Sequence, residues 1–493
     1  MSPFSSALPI TNHVASGIYG SQIPLSHVYW RVVARDANNV ALPTPEWRPL
    51  FVGAAMPLSG GRAHPITGIV ADLDNDGIAD PVYSLAGGAR HAVSADYSKI
   101  GIIWPARSPL AAELTVAGGR TVGSGNGAVS LAALGNARNT NEFSVFMGDP
   151  SNNMVYRFEF GAIRAQAMND VLTAPARVFG FGAALAPGGD INGDGFSDLV
   201  VGSSGNVALM GMTAGAIVVY FGGNTSAPNG LSANPLVIQA PAELDIGSRF
   251  GSAVSSVCDY NNDGYADIVV GAGNASVRSS ASSRVYLYFG GPTLNPNSAP
   301  AQILMPNVPN DFGNSVACAG DMDGDGNPEL LVGATAGDGQ FHIYYGNGRG
   351  VEFPARTVVL GLASSNEQLG RSVAGGGDLD GDGLDDAVIG APTAGQYGLV
   401  KVFFGNAAQA NAYPNDAMEV GSFYGYAVAM LGRRTLNSQR DSLFIGAPLT
   451  GPSSHGAVYA GRTDRGQSSV VPDDTRLGVV SLQAAGTAVV RMN

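Results

Sequence analysis

Five copies of one acidic nonapeptide punctuate this chain, and they leave few folds open to it. Asp72, Asp74, Asp76 and Asp80 stand in DLDNDGIAD, and Asp190, Asn192, Asp194 and Asp198 in DINGDGFSD. Asp259, Asn261, Asp263 and Asp267 stand in DYNNDGYAD, Asp321, Asp323, Asp325 and Glu329 in DMDGDGNPE, and Asp378, Asp380, Asp382 and Asp386 in DLDGDGLDD. Each copy puts oxygen-bearing side chains at positions 1, 3, 5 and 9 and glycine at 6. Only 13% of the chain is charged, so this local crowding of like charge calls for a cation. Hard oxygen donors at this spacing suit calcium, and the backbone carbonyl at position 7 (Ile78, Phe196, Tyr265, Asn327, Leu384) supplies a further ligand. The opening matches that of an EF-hand, D-x-[DN]-x-[DN]-G. The continuation does not: position 12 of the last copy is Ile389, inside a β-branched run, where an EF-hand needs a bidentate Glu and a helix. The loops therefore join strands. A lone copy could be an Asx-rich turn, since Asp, Asn and Gly are ordinary turn residues. Five copies at one spacing read as calcium sites, about five ions.

The copies recur with a period. The residue that ends the apolar run after each loop is Ser84, Gly202, Gly271, Gly333 or Gly390, and two segments without the aspartates end in the same way at Gly148 and Gly446. These seven anchors lie 54 to 69 residues apart, about 60 on average, so the chain holds seven units. Within a unit a short strand, as in RFGSAVSSV (249–257) or DFGNSVACA (311–319), precedes the loop. A second strand such as ADIVVGA and a third such as GAIVVYFGG (215–223) or SRVYLYFGG (283–291) follow. The remainder leaves room for an outer strand, such as NPLVIQA (234–240) or ARTVVLG (355–361). The expected fold is all-β, a seven-bladed β-propeller of four-stranded antiparallel blades with calcium-binding loops. A linear solenoid is the competitor, although four-stranded units of this length are typical of radial closure.

These units resemble FG-GAP repeats, the blades of the integrin α-chain head. Phe250-Gly251, Phe312-Gly313 and the triplets Gly390-Ala391-Pro392 and Gly446-Ala447-Pro448 carry the likeness together with the acidic loops, over roughly residues 60 to 480. Stand-alone propeller lectins of the Psathyrella velutina type are similar in arrangement. The resemblance implies that the metal loops lie between the first and second strands of each blade, on one face of a disc. The leg domains and membrane span of an integrin α chain are not seen in this sequence, which argues against the heterodimeric integrin role. Residues 61–483 are assigned to the propeller. Residues 1–60 are expected to contribute a closing strand, from HVYWRVVARD or PLFVGAAM, and 484–493 are a terminal strand or tail that could close the ring instead. A ring needs its ends joined to remove exposed edges.

Two units depart from the pattern. The second has Asn136, Arg138 and Asn139 where a loop would begin, and the seventh has Arg433, Arg434 and Arg440. Arginine there would repel calcium. It either shuts the loop by pairing with a carboxylate such as Asp441 or frees the blade for ligand contact, and the structural role is the expected one.

Charge and composition bound the partners. The ligand positions of the five loops hold 18 of the 39 acidic side chains, so five calcium ions would cancel most of the net charge of −13. The 26 Lys and Arg are scattered without a basic stripe, which argues against nucleic acid and anionic membranes. No apolar run reaches the length of a membrane span. Cys258 and Cys318 do not occupy equivalent positions, and buried free thiols are expected rather than a disulfide between neighbouring inner strands. The first 17 residues have no basic or continuous apolar region and are not read as a signal peptide. Exposed calcium loops nevertheless suit a compartment rich in calcium, so an extracellular or cell-surface protein is expected.

Catalysis finds no support in the residues. His13, His27, His64, His91, His342 and His455 are dispersed without a zinc-binding pair, and no G-x-S-x-G elbow occurs. His342, in the third-strand run FHIYY, is expected to be a hydrogen-bonded structural residue. The expected function is therefore non-catalytic: a recognition or adhesion module for an extracellular protein or glycan, with a lectin as the first alternative and a propeller hydrolase or lyase as the second. Trp30, Trp47 and Trp104 do not recur per unit, which weakens a repeated sugar pocket, and Tyr220, Tyr286, Tyr288 and Tyr344 are expected to fill the core between blades.

Overall fold

The structure, a computed structural model, describes most of residues 130–447 and flanking strands. The described stretches are 130–135, 143–160, 168–205, 214–223, 230–244, 247–273, 283–305, 311–355, 357–361, 366–406, 411–414, 423–431 and 440–447. To these are added 27–32, 46–51, 82–87, 96–103, 111–115, 457–462, 471–477 and 489–490. No helix among the described residues is long and apolar enough to cross a membrane.

Every named element is a strand. β1 (His27–Val32) and β2 (Glu46–Phe51) pair with each other as a separate antiparallel sheet. β3 (Val82–Gly87), β4 (Asp96–Ile103) and β5 (Ala111–Thr115) follow. Next come β6 (Leu131–Gly135), β7 (Phe143–Asp149), β8 (Met154–Phe160) and β9 (Met168–Thr173), and then β10 (Phe181–Pro187), β11 (Leu199–Ser203), β12 (Ala216–Tyr220) and β13 (Leu236–Gln239). The acidic loop 259–267 lies between β14 (Ala253–Ser255) and β15 (Ile268–Ala272), which β16 (Arg284–Tyr288) and β17 (Gln302–Leu304) extend. β18 (Phe312–Gly320), β19 (Glu329–Ala334), β20 (Gln340–Tyr344) and β21 (Thr357–Leu360) repeat the arrangement. So do β22 (Ser372–Gly377), β23 (Asp386–Ala391), β24 (Leu399–Phe403) and β25 (Asn411–Pro414). The last are β26 (Ala427–Leu431), β27 (Ser442–Ala447), β28 (Ala457–Arg462), β29 (Val471–Leu477) and β30 (Val489–Val490).

Six consecutive groups of four, from β6–β9 to β26–β29, form antiparallel sheets in chain order, and β30 pairs with β3 to make a further four-stranded sheet β30-β3-β4-β5. The first strands neighbour one another in the succession β6, β10, β14, β18, β22, β26, β30, and β30 also neighbours β6.

Successive sheets bury both of their faces, which explains why the second strands read as unbroken apolar runs. Ile268 and Val270 of β15 pack toward Val200, Ile217 and Val219 of the preceding sheet. Val269, between them, packs toward Phe312, Leu330, Val332 and Tyr344 of the following one. Each fully buried Val or Ile contributes about 1.5–3 kcal/mol. The aromatic of the Phe-Gly pair anchors the inner edge. Phe250 meets Tyr286 and Tyr288 edge-on at centroid distances of 5.5 and 6.5 Å, and Phe312 meets Tyr344 at 6.2 Å. Tyr220, Tyr286, Tyr288 and Tyr344 are all buried, as core residues should be.

The glycine of that pair has two duties. Its φ is +90° at Gly182, +83° at Gly251, +85° at Gly313, +86° at Gly370 and +85° at Gly425, a region costly for other residues. Its carbonyl also presses against the anchor glycine of the preceding sheet. A Cβ at Gly148, Gly202, Gly271, Gly333 or Gly390 would overlap the carbonyl oxygen of Gly182, Gly251, Gly313, Gly370 or Gly425 respectively. Serine hydroxyls from the preceding first strand bond three of these carbonyls: Ser130 to Gly182 at 2.7 Å, Ser315 to Gly370 at 2.7 Å and Ser372 to Gly425 at 3.0 Å. Leu369 and Tyr424 fill the Phe position in the last two of these units.

Two expectations are corrected. Cys258 and Cys318 form a disulfide rather than remaining free thiols. Their unequal positions in the repeat are what allow it: one interface earlier Gly189 and Ser256, which occupy the equivalent two positions, meet through an N–H to carbonyl bond of 2.7 Å, and the cysteine Cα atoms lie 6.1 Å apart. His342 is buried, but its Nε2 has no hydrogen-bond partner; the ring packs edge-on to Phe312 at 5.2 Å. Burial lowers its pKa to about 4.

Candidate metal centres

Four of the five acidic loops fall among the described residues; Asp72, Asp74, Asp76, Ile78 and Asp80 lie outside them, as do Asn136, Arg138, Asn139, Arg433 and Arg434. The four share one construction. The position-1 carboxylate folds the loop around itself: Asp190 accepts the N–H groups of Gly193 (2.6 Å), Asp194 (3.0 Å) and Gly195 (2.7 Å). Asp378 does the same for Gly381, Asp382 and Gly383, Asp259 for Asp263 and Gly264, and Asp321 for Gly324 and Gly326. Positions 4 and 6 adopt positive φ throughout, with Asn262 at 58° the one position 4 that is not glycine. The position-5 carboxylate accepts the N–H of position 7, as from Asp194 to Phe196 (3.0 Å), Asp263 to Tyr265 (3.0 Å), Asp325 to Asn327 (2.8 Å) and Asp382 to Leu384 (2.9 Å). That bond holds the position-7 residue at the loop's closing bend.

The position-9 carboxylate is the deepest member. Asp198, Asp267, Glu329 and Asp386 have no solvent exposure. Each accepts one N–H from position 2 of its own loop and one from the glycine two residues beyond the third strand. Asp267 holds Tyr260 (2.7 Å) and Gly290 (2.9 Å), Asp198 holds Ile191 (2.8 Å) and Gly222 (2.8 Å), and Asp386 holds Leu379 (2.7 Å) and Gly405 (2.9 Å). Glu329 reaches Met322 and Gly346 in the same way, so the extra methylene preserves the double contact.

These carboxylates are electrostatically expensive without a cation. Burial, opposed by two backbone N–H bonds and reinforced by Asp259 and Asp263, raises Asp267 to about 8. Burial likewise raises Glu329 to about 9 and Asp259 to about 6, and pushes Asp198, Asp386, Asp321 and Asp378 upward. Ligand atoms converge in three of the loops: those of Asp259, Asp263 and Asp267, of Asp321, Asp323 and Asp325, and of Asp378, Asp380 and Asp386 lie within 4.8 Å of one another. An all-oxygen set of this charge and spread fits a hard divalent cation, which would supply the missing compensation. Phe196, Tyr265, Asn327 and Leu384, the expected carbonyl ligands, sit at the closing bend of their loops. In the loop at Asp190, Asn192 Nδ2 turns to Asp194 Oδ2 at 3.0 Å, as Asn261 turns to Asp263 at 2.9 Å.

Three of the loops are also tied to the next sheet through position 2. The carbonyl at position 2 accepts an N–H from the turn beyond the neighbouring third strand: Ile191 from Gly291 (2.7 Å), Tyr260 from Gly350 (2.9 Å) and Met322 from Asn406 (3.0 Å). Sequence reading missed these contacts because they join residues more than 80 positions apart with no shared motif. It also missed Asp385, and singled out Asp441 only as a partner for arginine; their carboxylates take the N–H groups of Asp321 (2.9 Å) and Asp378 (3.2 Å) across an interface. Arg440 lies over the preceding loop, its Cγ and Nε each 3.2 Å from the point a Cβ on Gly381 would occupy.

Residues 181–220 and 250–288 match the FG-GAP repeat family, and 321–389 match the FG-GAP-like repeat. The chain carries FG-GAP repeats. It resembles the integrin α-chain head in them: integrin alpha-7 of Mus musculus is 34% identical over 160 residues, 32% of this chain and 13% of that protein. Integrin alpha-5 of Xenopus laevis is 31% identical over 227 residues, 43% of this chain and 20% of that protein. Integrin alpha-6 of Gallus gallus is 34% identical over 161 residues, 32% of this chain and 14% of that protein. The matched region thus spans a fifth or less of these relatives. The two FG-GAP matches run from the Phe-Gly pair through the acidic loop into the following strands, and the FG-GAP-like match runs from the acidic loop at Asp321 to the strand after the loop at Asp378.

Proposed function

We propose that the protein is a seven-bladed FG-GAP propeller whose acidic loops bind calcium, and that it serves as a non-catalytic recognition or adhesion module for a protein ligand outside the cell. The observation that carries the metal reading is the buried position-9 carboxylate, repeated in four loops and, at Asp267 and Asp386, converging with two neighbouring carboxylates of its loop. The succession of sheets, with β30 of the C-terminal end beside β3, supports ring closure between the chain's two ends. The disulfide supports an oxidising compartment, where calcium is also abundant.

The metal loops stand at the far end of the first strands from the Phe-Gly pairs. Ligand contacts are assigned to the Phe-Gly end, where loops are free of the metal's constraint. There the guanidinium of Arg371 lies 4.6 Å from the ring centre of Tyr426 and bonds its hydroxyl at 3.1 Å. A protein is preferred over a glycan because the recurring third-strand aromatics are buried in the core and offer no stacking surface. The test is a binding panel of purified extracellular proteins alongside a glycan array, each with and without calcium. Calcium-dependent binding to a protein, lost in Arg371→Ala, is the expected outcome. Defined sugar hits with an empty protein panel would replace this reading with the lectin.

A further inference from the structure

The disulfide sits at the one described interface between acidic loops where the ordinary backbone lock is missing. At three interfaces the residue in position 8 of the following loop, or its equivalent, donates its N–H to the position-1 carbonyl of the preceding loop. Ala266 donates to Asp190 (3.0 Å), Asp385 to Asp321 (3.0 Å) and Asp441 to Asp378 (2.8 Å). Asp385 and Asp441 add a return bond from the position-1 N–H to their carboxylates. Between the loops 259–267 and 321–329 the position-8 residue is Pro328, which has no N–H to give and no carboxylate to receive. Here alone the residue before position 1 is Cys258, where the other described loops have Gly189, Gly320 and Gly377. Its partner, Cys318, stands where the neighbouring units have Ser256 and Gly375.

We infer that the Cys258–Cys318 disulfide is a positioning brace for two metal loops, a covalent replacement for the hydrogen-bond lock that Pro328 removes. Cys258 adjoins Asp259, the residue around which its loop is folded, and Cys318 is in β18, three residues before Asp321. The bond therefore fixes the starts of both loops relative to each other. Other ties cross this interface, Gly350 to the carbonyl of Tyr260, Asn262 to Asn327 at 2.8 Å and the paired bonds between Gln302 and Val351 at 2.9 and 3.1 Å, but none of these residues is at position 1 of either loop. The disulfide thus holds what they do not: the position-1 carboxylates.

The inference rests on the calcium reading, and its test separates the two. Calcium titration calorimetry is run on the full chain, on Cys258→Ser/Cys318→Ser, and on that double variant carrying Pro328→Asp; Asp194→Ala and Asp263→Ala assign the binding phases. Loss of the brace is expected to weaken calcium at the loops of Asp259 and Asp321 about tenfold, the effect of removing outer support from a metal ligand, and to leave those of Asp190 and Asp378 unchanged. Pro328→Asp restores the donor and the carboxylate found at the Asp385 and Asp441 interfaces, and is expected to recover most of the loss. A merely structural disulfide would lower the melting temperature without this split or this rescue. If the double variant fails to fold, reduction of the folded native chain and of the Pro328→Asp chain gives the same comparison, with affinity falling only in the former. Wild-type binding with unchanged affinity in the unbraced chain overturns the brace alone. Absence of calcium uptake by the wild type overturns the calcium reading, and the brace with it.

Discussion

Chelated and calcium-loaded protein should respond to pH in opposite directions, because the deepest loop carboxylates are shifted the same way. Asp267 is raised by burial from 3.8 to about 8 and Glu329 from 4.5 to about 9. A carboxyl whose pKa is higher in the fold than in the unfolded chain costs nothing at a pH below both values. The cost grows as pH rises above the unfolded value, where the unfolded state ionises first, and levels off above the folded one. At 1.36 kcal/mol per unit, metal-free protein at about pH 7 has lost about 4 kcal/mol at Asp267 and about 3 kcal/mol at Glu329 relative to acid conditions. Those are large fractions of the roughly 5–15 kcal/mol that stabilises a typical domain. Calcium requires the ionised form, so its contribution grows with pH and opposes the loss. The assay is thermal melting from about pH 5 to 8 on metal-stripped and calcium-saturated protein, with Asp267→Asn as the control that should flatten the metal-free curve. Metal-free protein that grows more stable toward pH 8, or identical profiles with and without calcium, would refute the reasoning.

Other consequences are as direct. Gly271→Ala drives a Cβ into the Gly313 carbonyl oxygen and should destabilise by at least about 3 kcal/mol in chemical denaturation, whereas Gly337→Ala, with nothing within 4 Å but a φ of +66°, should cost about 1 kcal/mol. Asp386→Asn leaves one of two buried N–H groups, at Leu379 and Gly405, facing an amide NH2; a loss of about 1–3 kcal/mol and of one calcium per chain is expected from melting and metal analysis. Arg440→Gln removes a positive charge beside Gly381 and should tighten calcium at the loop of Asp378 roughly threefold at low salt, an effect that fades as ionic strength rises.

What the sequence disclosed was whatever repeats with the chain. The acidic nonapeptides, the Phe-Gly pairs and the anchor glycines recur about every 60 residues, so strand order and loop position were legible, and the buried third-strand tyrosines with them. What it hid depends on neighbouring sheets. Leu369 and Tyr424 occupy the Phe position without resembling it, and only their burial and the φ of the glycine that follows reveal the role. Asp385 looked like one more aspartate of a crowded loop, yet its carboxylate serves the preceding loop at Asp321. Cys258 and Cys318 appeared mismatched within the repeat, and it is the stagger between units that pairs them. His342 was expected to find a hydrogen bond, but the apolar space beside Phe312 takes the ring with Nε2 unbonded.

The central claim is that the acidic loops are calcium sites that hold the fold together. It is tested most directly by counting calcium bound to the full chain while following its melting temperature through chelation and re-addition. About five ions per chain are predicted, with a large fall in melting temperature on chelation that calcium reverses and magnesium, which demands stricter octahedral geometry, reverses poorly. No bound calcium and a melting temperature indifferent to chelator would contradict it.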